Sequence, residues 1–66
     1  MSVIVQHAQH LDDRARRVAE LSAHLVALAE QSRPAVELTA VHNDLADELE
    51  ALSAQSSILA AHLSDT

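Results

Sequence analysis

The sequence predicts an all-α fold: an antiparallel two-helix hairpin that self-associates into a four-helix bundle. Ile4, Leu11, Val18 and Leu25 recur at seven-residue spacing, and Leu38, Leu45, Leu52 and Leu59 repeat that spacing in the second half. The one proline, Pro34, falls between the two series, and the chain has no glycine. Its apolar residues make up 48% of the chain and include no Phe, Tyr or Trp. A composition led by Ala, Leu and Val belongs to long helices.

Helix 1 is expected over about residues 3–31, with the Ile4 series at heptad position d and Ala8, Ala15, Ser22 and Ala29 at position a. The turn is expected at 32–34. Pro34 has no N–H and clashes with a preceding turn, yet it fits the first turn of a new helix. Ser32 or Arg33 would cap that helix, and Ser32 is chemically the better cap. Helix 2 is expected over about 35–63, with Ala35, His42, Leu49, Ser56 and Leu63 at a and the leucine series at d. Residues 1–66 thus form a single helical-hairpin domain.

Stacking a against d sets the expected register. Ala29 with Leu38, Ser22 with Leu45, Ala15 with Leu52 and Ala8 with Leu59 all have residue numbers adding to 67. The implied centre lies between Arg33 and Pro34, where the sequence breaks independently. The e edge (Val5, Asp12, Ala19, Val26 and Thr39, Ala46, Ser53, Ala60) is small and nearly uncharged. The g edge is apolar near the loop and polar near the termini, with His7 level with His62. An apolar surface this wide exceeds what one helix pair covers. A chain of 66 residues without cysteine or aromatics is marginal alone, so a homodimer or higher oligomer is the expected partner. His42, at a, would either be a buried polar residue that fixes register or lean to the surface at the end of its layer. With five histidines the formal charge moves from -6 to -1 on full protonation (-6 + 5), so mild pH sensitivity is expected.

Composition also excludes function classes. Ten Asp and Glu against four Arg and no Lys disfavour nucleic acid and anionic membranes as partners. No apolar run is long enough to span a bilayer, and the start lacks a signal pattern, so a cytoplasmic location is expected. A glycine-free hairpin offers no pocket for catalysis, so neither an enzyme nor a cofactor is expected. The leading expectation is a small protein-binding regulator, adaptor or inhibitor. Its contact would be the acidic face Asp44, Asp47 and Glu48, or the loop-end apolar patch Leu21, Leu28, Val36 and Val41, which would otherwise complete the dimer core.

A basic cluster and a histidine group are two further candidates. Arg14, Arg16 and Arg17 form the basic cluster, but Asp12 to Arg16 and Asp13 to Arg17 are favourable i,i+4 pairs that neutralise it. His7, His10 and His62 are gathered by the register at the open end, as three imidazoles could be around zinc. The small-a, large-d hairpin resembles the Rop family, RNA-binding dimers of two helical hairpins. The segment His42-Asn43-Asp44-Leu45-Ala46-Asp47-Glu48-Leu49 is similar to a His-rich Ala-Asp-Glu-Leu stretch of that family's second helix, one residue out of register. The resemblance implies a four-helix dimer and offers an alternative function, RNA binding through the arginine face of helix 1. The aromatic of the family's RNA face is missing here.

Overall fold

The computed structural model describes residues 2–65 and contains two helices, α1 (Val3–Glu30) and α2 (Ala35–Ser64), packed side by side. The fold is all-helical, with no strand among the described residues. Both helices end within a residue of their expected bounds. Ser2 caps α1, its hydroxyl accepting from the Ile4 N–H at 3.2 Å. This satisfies one of the donors that a helix start leaves without a partner.

The turn differs from expectation at Ser32. Its φ of 55° puts it in the left-handed region, which glycine usually fills. Arg33 N–H donates to the Leu28 carbonyl and Ser32 N–H to the Ala29 carbonyl, both at 3.1 Å. That double bond pattern is a Schellman ending. Ser32 therefore terminates α1 and does not cap α2, because its backbone is committed to the preceding helix. Pro34 occupies the α2 cap position with no side-chain cap bond. Glu37, in the first turn, would ordinarily reach back to the N–H of the cap residue. A proline offers none, and Glu37 instead receives two bonds of 2.8 Å from the Arg33 guanidinium.

The helix seam also differs from expectation. The less exposed residues of α1 include Ile4, His7, Leu11, Val18, Leu21, Leu25 and Leu28. Those of α2 include Leu38, Val41, Leu45, Glu48, Leu52, Gln55, Leu59 and His62. These are d and g positions. The expected a partners, Ala8, Ala15, Ser22 and Ala29, are exposed, and so are His42 and Leu49. The physical reason is size. Turning each helix toward g brings Leu21, Leu28 and Val41 into the seam, whereas a in α1 offers only alanine and serine. His42 consequently stands outside the hairpin core and fixes no register there.

His7 sets the register actually adopted. It contacts Gln55 on one side and His62 on the other, so it lies level with Leu59 between them. Residues whose numbers add to about 66 are then level, which places Leu25 beside Val41 and Leu28 beside Leu38. The rod measures 49 × 16 × 12 Å, and Leu21, at 5% exposure, is the one buried hydrophobic among the described residues.

Candidate functional site

Of the expected acidic face, Asp44 and Asp47 are exposed on the outer side of α2. Glu48 is not part of it. It turns into the seam and pairs with Arg14 at 3.2 Å, its side chain only 26% exposed. The g position that carries Glu48 faces the other helix, so the carboxylate finds its cation there.

The apolar patch is likewise divided. Leu21 is buried, and Leu28 and Val41 are half-buried in the hairpin itself. Only Val36, 75% exposed at the start of α2, stays available to a partner. The a/d register left the other three for a partner or for the dimer core; the g-side seam of the hairpin itself consumes them.

The basic cluster is neutralised throughout. Arg16 donates to Asp12 at 3.0 Å, as its spacing requires. Arg17 pairs with Glu20 at 3.7 Å instead of with Asp13. Arg14 reaches across the helices to Glu48, and Arg33 holds Glu37. The Arg33 contact holds the Glu37 carboxyl below the usual carboxylate range and raises the guanidinium, the shared hydrogen bonds being the first cause.

At the open end, the His7 and His62 rings stack with centroids 4.6 Å apart and an interplanar angle of 22°. His10 stands edge-on to His7 at 6.4 Å. Stacked rings present faces, not converging lone pairs, and the His7 Nδ1 is 3.0 Å from the Gln55 amide. Among the described residues no group of three ligands is placed to hold a metal. The three histidines therefore come together as expected, but as a packed layer.

Sequence reasoning missed a shallow, open cleft lined by His10, Asp13, Arg14, Arg17, Glu48 and Gln55. It forms where long side chains at g lean across one heptad, a detail that an a/d register hides. Its walls carry both charge signs, and its Arg14, Arg17 and Glu48 belong to the ion pairs already described. No helix among the described residues is long and apolar enough to cross a membrane. Comparison with family models, curated proteins and solved structures finds no match for this chain.

Proposed function

We propose that this chain is a small non-enzymatic protein-binding regulator, adaptor or inhibitor that works as a homo-oligomeric helical bundle. Its partner-binding surface is the outer side of α2. The carrying observation is the distribution of unpaired charge. All four arginines are ion-paired, and they engage Asp12, Glu20, Glu37 and Glu48. Of the ten acids, the six without an ion pair among the described residues (10 - 4) are Asp13, Glu30, Asp44, Asp47, Glu50 and Asp65. They equal the whole formal charge of -6. Asp44, Asp47 and Glu50 follow one another along α2, so a basic protein surface is the complementary partner.

RNA binding has less support, because each arginine that would contact phosphate already has a carboxylate beside it. The test is affinity capture with the full chain and with an Asp44→Lys/Asp47→Lys variant, both checked for helicity by circular dichroism. A protein held by the parent, released by salt and lost from the variant supports the reading. Capture of structured RNA, or capture indifferent to the charge reversal, overturns it.

A further inference from the structure

We propose that the broad face built from the a and e positions of both helices receives a second copy of this chain, packed face to face with its loop at the opposite end. This deepens the reading above by naming its oligomer surface, and it rests on the self-association in that reading.

With the seam at d and g, the a and e positions of two antiparallel helices project to the same side of the hairpin. That side is nearly free of charge: of fourteen charged residues (10 + 4), only Asp12 stands there. It also carries four of the seven exposed large hydrophobics among the described residues: Val5 at 43%, Val26 at 54%, Leu49 at 47% and Leu63 at 51%. Half-buried Leu11, Leu25, Leu45 and Leu52 lie at the d positions along its floor.

The area fits a second copy. A face 49 Å long and 16 Å wide covers about 780 Å², close to the ~800 Å² that each partner of a standard interface contributes. The accessible surface of 4628 Å² exceeds by roughly 500 Å² what a compact monomer of this mass exposes. One buried side chain is too little core for a stable fold of this length, and covering this face would supply the rest.

Residue sizes set the direction. Counted from the loop, Val26 is near, Leu49 is midway, and Val5 and Leu63 are at the far end. With loops at opposite ends, a two-fold axis at the height of Arg17 and Leu49 sets Leu49 against its counterpart. Val5 then falls opposite Ala29, Leu63 opposite Ala35, and Val26 opposite Ala8. His42 meets Ser56, and Asp12 meets Ser22. Large side chains meet small ones, as dense packing requires. With loops together, each α1 would lie over the partner's α2, so Val5 and Leu63 would meet each other while Ala29 and Ala35 faced each other across a gap. The interface is isologous, so it closes at two copies.

The experiment is sedimentation equilibrium of the full chain, the Leu49→Glu variant and the Val36→Glu variant, with helicity followed in parallel. The expected masses are about 14 kDa for the parent and Val36→Glu, and 7.1 kDa for Leu49→Glu, a twofold fall. A monomeric parent overturns the proposal, as does a helical Leu49→Glu that keeps the dimer mass. The chain has no cysteine, so crosslinking by a short bis-maleimide gives a second readout that does not depend on Leu49→Glu folding. Leu49→Cys should link to itself, and Val5→Cys should link to Ala29→Cys in a mixed sample. Efficient linking of Val5→Cys to Leu63→Cys in a mixed sample instead would mean loops at the same end and overturn the arrangement. A monomer that still captures a protein through Asp44 and Asp47 refutes this face and the self-association but leaves the acidic contact standing. A dimer that captures nothing refutes the acidic contact alone.

Discussion

Arg14 and Glu48, 34 positions apart in the chain, meet at 3.2 Å and form the one ion pair among the described residues that joins α1 to α2. The other three pairs act within α1 or at the turn. This contact lies in the g row, where helix faces helix. It is partly exposed, the two side chains being 46% and 26% accessible. Glu48→Gln should therefore cost about 0–1 kcal/mol. A joint Arg14→Met/Glu48→Leu replacement should be neutral or stabilising, since it continues the apolar seam. Urea unfolding followed by circular dichroism checks both; a loss well above that range for Glu48→Gln would give the pair a larger role.

Ser32 holds a left-handed backbone that costs an L-residue roughly 1–2 kcal/mol. Ser32→Gly should therefore raise stability, by about 0.5–1 kcal/mol after glycine's larger chain entropy is set against the relief. Ser32→Val should lower it. Thermal midpoints of the two variants, moving in opposite directions from the parent, are the expected result.

Leu21 and Val36 separate the parts of the patch expected at the loop end. Leu21→Ala removes the buried side chain and should cost about 2–5 kcal/mol, enough to unfold so small a hairpin. Val36→Ala should change stability by no more than about 0.5 kcal/mol, because its side chain is already in water. Similar losses at both positions would contradict the seam.

Glu37 gives a pH signature. Its carboxyl is held below the usual range by the Arg33 hydrogen bonds. The folded group thus releases its proton at lower pH than the unfolded one. Its contribution is complete above the ordinary glutamate range and is lost as pH falls through the lowered value. Carboxyl titration by NMR should show Glu37 below the usual range in the parent and back within it in Arg33→Ala. An Arg33→Ala variant that leaves the Glu37 titration unchanged would remove the assignment.

The helices and the break between them were legible because heptad spacing and a lone proline act locally. The seam was not, because a heptad repeat shows only that one stripe is apolar. Whether g or a joins d depends on which flank buries more side chain, and here Leu21 and Leu28 outweigh Ala15 and Ser22. The same rotation moved Glu48 and Leu21 out of the expected contact surfaces and left Asp44 and Asp47 where they were expected. The contact of His7 with His62 was expected and is made, since both are g residues, although His7 now lies level with Leu59. Ser32 was misread because its side chain suits a cap, while its backbone is claimed by the helix it follows.

The six acids without partners all occupy b, c or f positions. The outside of the rod is thereby a polyanion, with no arginine left among the described residues to neutralise it. Two such outsides repel across a Debye length, about 8 Å at physiological salt. Sideways clustering and fibre growth are opposed from a distance, before any contact is tried. A mean hydropathy of +0.04 would otherwise make a short, aromatic-free helical rod a sticky object. Its colloidal behaviour is set by the side of the molecule that takes no part in holding the hairpin together, and it should become salt-sensitive well before the fold does.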